Sequence, residues 1–233
     1  MPVFRLTDEV IFPPPAYARE DGLLAVGGDL SQERLLLAYA MGIFPWYPEG
    51  SPILWWSPDP RLVLIPQELR ISRSLRQAMK KGIYEVTMDK AFDQVVGNCA
   101  EVHREKDGET WITRDMREAY NRLHDSGFAH SVESWHRGEL EGGLYGVALG
   151  GAFFGESMFT KRANASKVAF VALVQSLLQW DFGLVDCQVT TQHLMGFGAR
   201  NIPRPEFLRM LRHVLRKPSR RGIWGIPPST RRV

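Results

Sequence analysis

GGLYGVALGGAFFGESMF, residues 142–159, reads as two apolar strands joined at Gly150-Gly151, a two-residue turn of the kind that closes a β-hairpin. With AHSVESWH (129–136) ahead of it, the segment predicts two or three neighbouring antiparallel strands. One residue breaks the apolar run, Glu156. A strict two-residue turn sets Glu156 opposite Tyr145, on the same face as Phe154 and Met158. A β-bulge, which the many glycines favour, shifts that register. A surface strand also tolerates such an acid freely, so the hairpin alone leaves its role open.

Working outward, helical patterns flank the hairpin. SQERLLLAYAMG (31–42) has Ser31 as N-cap and Gly42 as its stop, and TRDMREAYNRLHDSG (113–127) runs from Thr113 to Gly127 in the same way. ISRSLRQAMKKG (71–82), with Ser72 as cap, and DKAFDQVVGNCA (89–100) are further helices, and residues 165–180 are apolar nearly all round, as in a helix packed inside a domain. PEFLRMLRHVL (205–215) turns Phe207, Met210, Leu211, Val214 and Leu215 inward. RLVLI (61–65), IYEVTM (83–88) and LVDCQV (184–189) are short strands. The first sixty residues differ. FPPPAYARED (12–21) cannot be helix, GLLAVGGDL (22–30) breaks at its glycines, and IFPWYPEGSPILWWSPDPR (43–61) places three Trp and five Pro in an aromatic surface with no regular element expected. A boundary near Pro60 therefore divides a small N-terminal domain, 1–60, from a larger one, 61–233, with an α+β or mixed α/β core.

The 233 residues are 44% apolar and 24% charged, enough for a sizeable core, and no run approaches the roughly 20 apolar residues of a membrane span. MPVFRLTDEV lacks a secretory pattern, so a cytoplasmic protein is expected. Cys99 and Cys187 are expected to be buried free thiols. Nothing favours a Cys187–His193 nucleophile over a buried thiol. Six histidines show no metal-ligand spacing, and neither a dinucleotide fingerprint nor a phosphate loop is present, so no metal and no cofactor are expected. Charge is uneven. Residues 200–233 carry ten Arg or Lys against the single acid Glu206, whereas the rest of the chain is net acidic. Arg73, Arg76 and Lys80, spaced i, i+3, i+7, form a basic stripe continued by Lys81, read either as a solvated face or as a phosphate-binding one.

Alternation along LVDCQV puts Leu184, Asp186 and Gln188 on one face and Val185, Cys187 and Val189 on the other. Asp186 fits an edge strand with one wet face, or else a polar site shared with Glu156. GLLAVGGDLS, GIFPWY, ILWWSPDPR, ETWITRDMREAY, GESMF, NASK and VDCQV together resemble the leucyl/phenylalanyl-tRNA–protein transferase family, over about residues 22–203. The resemblance implies transfer of Leu, Phe or Met from aminoacyl-tRNA to an N-terminal Arg or Lys of a protein, marking it for degradation. It also implies a C-terminal domain of the N-acetyltransferase superfamily fold, although FTKRANASK (159–167) has no glycine where CoA enzymes place a pyrophosphate loop. Further implied are a catalytic set of Asp186, Gln188 and Glu156, and an aminoacyl pocket of Leu144, Phe153, Met158 and Phe170. Trp46 and Trp111 are expected at the 3′ adenosine, and Arg73, Arg76, Lys80 and Lys81 at tRNA phosphates. A monomer is expected. The rival classes are a CoA-dependent N-acyltransferase and a non-catalytic RNA-binding module. An isosteric Asp186→Asn change is expected to stop transfer with the fold intact.

Overall fold

A computed structural model describes residues 3–107 and 110–227; the last six residues, with Arg231 and Arg232 of the basic end, lie outside the described residues. The order is β1 (Phe4–Leu6), β2 (Leu23–Gly27), α1 (Gln32–Ala40), β3 (Phe44–Pro45), β4 (Leu54–Trp56), β5 (Arg61–Leu64), α2 (Arg73–Lys80), β6 (Glu85–Met88) and α3 (Phe92–Asp107). Then follow α4 (Arg114–Asp125), β7 (Ala129–His136), β8 (Glu139–Leu149), β9 (Ala152–Thr160), α5 (Ala165–Gln179), β10 (Leu184–Gln188), α6 (Gln192–Met195), β11 (Arg200–Ile202) and α7 (Arg204–Val214). All three expected N-caps are made: the Ser31, Ser72 and Thr113 hydroxyls accept from the amides of Arg34, Leu75 and Met116.

The N-terminal stretch is more regular than its composition suggests. Strands β1, β2, β4 and β3 form a four-stranded sheet in that order, and β3 and β4 lie in the 43–61 stretch where no regular element was expected. The reason is length. Strands of two to five residues fit between the prolines, and Pro45 sits on β3, an edge strand where a missing N–H costs nothing. Trp55, fully buried, donates its indole N–H to Gly27 O at 2.9 Å and ties β4 to the end of β2.

The second sheet has seven strands in the order β11-β5-β10-β9-β8-β7-β6. It is mixed, because β10 runs parallel to β9 after the α5 crossover, while its other neighbour pairs are antiparallel. Apolar side chains fill both faces. Leu62, Leu64, Leu144, Phe153 and Val185 join α2 and α5 on one side; Val63, Tyr145, Val147, Phe154 and Leu184 join α1, α3, α4 and α7 on the other. The strand LVDCQV is therefore interior, flanked by β5 and β9, and every residue of β10 is buried, which overturns the wet edge strand.

The hairpin turn is as expected, with Leu149 paired to Ala152 around Gly150 at φ +56°. The register beyond it is not. Gly146 pairs with Gly155 but Tyr145 pairs with Ser157, so Glu156 is the extra residue of a bulge. The bulge moves Met158 to the α5 face beside Phe153, away from Phe154, with which the plain alternation had grouped it.

Candidate active site

Strands β9 and β10 stay paired only from Leu184–Ala152 to Asp186–Phe154. Two local features end the ladder there: the Glu156 bulge on β9, and on β10 a register shift between Asp186 and Gln188, with Gln188 at φ +62°. A left-handed backbone at a non-glycine residue is strained and persists only where surroundings enforce it. Here the Gln188 amide donates to Asp186 Oδ1 at 3.0 Å, and its side-chain Nε2 donates to Glu156 Oε1 at 2.9 Å.

A cavity of about 590 Å³ opens at this divergence. Glu156, Asp186, Gln188, Trp46, Trp111, Leu144, Phe153, Met158 and Phe170 all line it, so every residue named for catalysis, the pocket or the adenosine reaches one space. Leu144, Phe153 and Phe170 come from the α5 side of the sheet. Trp46 lies partly exposed, its ring 5.9 Å from that of Trp56. Tyr145 also lines the cavity, and its buried hydroxyl has no hydrogen-bond partner among the described residues. The stripe Arg73, Arg76, Lys80 and Lys81 is exposed on α2 and its C-cap and does not line the cavity. Leu75 and Met79 beneath it pack into the same apolar cluster as Leu144, Phe153 and Phe170.

The two acids sit in unlike settings. Asp186 is 0% and Arg61 1% exposed, and they form a two-pronged pair, Nε to Oδ1 at 2.8 Å and Nη2 to Oδ2 at 2.7 Å. The Arg61 guanidinium is held between the Phe44 and Phe207 rings, 4.8 and 4.6 Å from their centroids. No cation pairs with Glu156 among the described residues. It accepts from Tyr39 Oη at 2.8 Å and Tyr120 Oη at 2.6 Å, and the two phenols are 2.6 Å apart. Burial pushes its carboxyl up to about 7, against the pull of the Tyr120, Tyr39 and Gln188 hydrogen bonds. Burial also raises both phenols well above their usual range, so each keeps its hydrogen. Three contacts among three groups need three hydrogens. The phenols supply two while Glu156 is ionised, and a proton on Glu156 supplies the third.

Arg61, Tyr39 and Tyr120 escaped the sequence reading. Arg61 left a trace, a lone cation opening the otherwise apolar strand RLVLI. The tyrosines left none, because Leu35/Ala38/Tyr39 and Met116/Ala119/Tyr120/Leu123 are ordinary inward faces of helices, and nothing local says what their hydroxyls meet. Cys187 lines the cavity, but burial pushes its thiol far above the usual range, which removes the thiolate a nucleophile needs. Among the described residues no cluster of His, Cys, Asp or Glu could hold a metal ion, and no helix is long and apolar enough to cross a membrane.

A sequence model described as leucyl/phenylalanyl-tRNA protein transferase matches residues 63–212, and one for the N-terminal domain of the same family matches residues 28–59. A leucyl/phenylalanyl-tRNA–protein transferase of Syntrophobacter fumaroxidans is 64% identical over 91% of this chain and 90% of its own length. Proteins of the same name from Anaeromyxobacter sp. and Myxococcus xanthus are each 58% identical, over 99% and 96% of this chain and 98% and 97% of theirs. Among solved structures, L-PGS from Bacillus licheniformis overlays with a TM-score of 0.40 and 9% identity, covering 83% of this chain and 73% of that one. Transferase chemistry replaces the reading as a non-catalytic RNA module, and the chain belongs to the leucyl/phenylalanyl-tRNA–protein transferase family.

Proposed function

We propose that the cavity receives the 3′ end of a tRNA charged with Leu, Phe or Met. The protein joins that amino acid to the α-amine of an acceptor with N-terminal Arg or Lys, in the cytoplasm, and so marks it for degradation. The relatives' names favour aminoacyl-tRNA over CoA as the donor. The observation that carries the reading is one cavity joining an apolar lining to an acid whose carboxyl is pushed up to about 7.

The amine nitrogen attacks the ester carbonyl carbon, a C–N bond forms, and the C–O bond to the ribose 3′ oxygen breaks. One amine proton is lost and the departing oxygen gains one. An α-amine titrates at roughly 7.7–8.0, close to the carboxyl of Glu156, so proton transfer between them is nearly balanced. Glu156 is therefore the acceptor of the amine proton, which completes the Tyr39–Tyr120 ring. Asp186 has both oxygens held by Arg61, and one of them also accepts from the Gln188 amide. Its role is to hold Gln188 through the Gln188 amide, and Gln188 in turn braces Glu156. Holding amine and ester in contact supplies the larger effect, roughly 7–11 kcal/mol.

Incubating the protein with labelled phenylalanyl-tRNA and a peptide bearing N-terminal Arg tests the reading. Label is expected on that peptide and not on its N-acetylated form. Absence of label on both removes the reading.

A further inference from the structure

The segment that follows α7 lies beyond the residues matched to the family, and the site described above makes no use of it. It runs back across the body as a strap. Ser219 Oγ accepts from the amide of Gly150 at the hairpin turn, at 2.9 Å. Arg221 donates from Nε and Nη2 to Ser126 O at 3.2 and 2.9 Å, and its guanidinium covers the Phe128 ring at 4.5 Å. Arg220 lies 4.4 Å over the Trp180 ring. These contacts deliver Trp224, 3% exposed, into an aromatic cage.

The cage is specific. The indole stacks on His130, centroids 3.7 Å apart and planes 7° from parallel, and meets Trp180 and Phe182 edge-on at 4.9 and 5.9 Å. The Trp224 amide donates to Asp89 Oδ2 at 2.6 Å, the oxygen that also meets His130 Nδ1 at 2.9 Å. The fourth ring is Phe153, centroid 6.1 Å away. Phe153 lines the donor cavity and Trp224 does not. On another side the Phe153 ring rests on bare backbone: a Cβ added at Gly146 would come within 2.7 Å of its Cε1 and Cζ. The ring that walls the cavity is thus pinned between a strand that cannot yield and an indole supplied from the far end of the chain.

We infer that Trp224 is a positioning residue for donor choice: through Phe153 it fixes the wall of the apolar cavity and so sets which aminoacyl side chains fill it. The inference rests on the reading of the cavity as the aminoacyl pocket. Removing the indole gives the Phe153 ring room to withdraw, which deepens the cavity and deprives a smaller side chain of contacts before a larger one.

The test compares the natural chain with Trp224→Ala, Trp224→Leu and Trp224→Phe, measuring kcat and KM separately for leucyl- and phenylalanyl-tRNA, with melting temperature alongside. The Ala and Leu variants are expected to raise the Phe-over-Leu ratio of kcat/KM by about ten-fold, chiefly through KM for the leucyl donor. Trp224→Phe is expected to restore the natural ratio. Trp224→Leu, which keeps an apolar filler, carries the test where the Ala variant does not fold. A ratio unchanged within about two-fold in a folded variant overturns the inference. Equal losses for both donors that follow melting temperature overturn it too. Binding of the 3′-amide analogues of leucyl- and phenylalanyl-adenosine needs no turnover and separates the two failures. A natural chain that binds neither analogue defeats the reading of the cavity. One that binds both, with variants keeping its ratio, defeats only the role of Trp224.

Discussion

Arg61 and Asp186 are paired through two hydrogen bonds, of 2.8 and 2.7 Å, with neither residue more than 1% exposed. The pair joins β5 to its neighbour β10, both interior strands of the seven-stranded sheet, and the Phe44 and Phe207 rings close over the cation. This changes the expectation for Asp186→Asn. The variant keeps its volume but leaves a buried guanidinium without a counter-charge, and breaking such a pair costs about 3–5 kcal/mol. Asp186→Asn is expected to lower the urea midpoint as well as the transfer rate, and Arg61→Met added to it to recover part of the stability. A midpoint equal to that of the natural chain would show that the charge is matched elsewhere.

Glu156 gives a pH signature. Its carboxyl is held at about 7, above its ordinary 4.5, and as a base it works only when ionised. At saturating acceptor, kcat is expected to rise tenfold per unit below pH 7 and level off above it. Glu156→Gln removes that limb along with most of the rate. Stability runs the opposite way. A carboxyl whose folded value is raised stabilises fully below its unfolded value near 4.5, and that contribution is lost as pH rises through about 7. Glu156→Gln should therefore flatten the fall in melting temperature between pH 4.5 and 7. A natural profile with no inflection in that window would place the base elsewhere.

Closing the proton ring also needs the phenols. Tyr120→Phe and Tyr39→Phe each remove one hydrogen-bonded hydroxyl from Glu156, and each should shift the kcat inflection upward, because ionised Glu156 loses a donor. Measured together, the double variant should shift it further. An inflection that stays in place in both single variants would dissociate the tyrosines from Glu156.

Much of this site was legible before the fold was known, for a physical reason. Asp186 and Glu156 are acids inside apolar strands, and the cost of burying an acid makes such positions conspicuous. Their partners are hidden. Tyr39, Tyr120 and Arg61 sit in patterns that also describe an ordinary core, and they meet Glu156 and Asp186 across sequence separations of 117, 36 and 125 residues. The bulge at Glu156 and the parallel β9–β10 pair were not legible either, since alternation reports faces but neither register nor partner. The short N-terminal strands were lost among prolines, where each is too brief to show a period. The hairpin, the caps of α1 and α4 and the inward face of α7 needed only local chemistry, and there the sequence sufficed.

The stripe on α2 is exposed and free of acids within its own helix, as a phosphate-binding face requires. Arg76→Glu is expected to raise KM for aminoacyl-tRNA and leave kcat nearly unchanged. Each phosphate contact removed should reduce the slope of log affinity against log salt by about 0.7–0.9. An Arg76→Glu slope equal to the natural one would move the tRNA contact off this helix.

Donor range should follow from the cavity wall. Leu144, Phe153, Met158 and Phe170 offer an apolar lining in which one methylene is worth about 1–3 kcal/mol, so Leu, Phe and Met donors should fall within roughly 200-fold of one another in kcat/KM. A lysyl donor is a different case. Its ammonium would leave water for a lining without a counter-charge, at a cost of several kcal/mol, and its (CH₂)₄ stem regains only part of that. Transfer from lysyl-tRNA is therefore expected below about one-thousandth of that from phenylalanyl-tRNA, a gap of roughly 4 kcal/mol. Glu156 does not rescue it, because on the proposed reading that carboxylate serves the α-amine of the acceptor. Competition between labelled lysyl- and phenylalanyl-tRNA for one acceptor peptide measures the ratio directly. Comparable incorporation of both would mean that the donor side chain does not lie against this apolar wall.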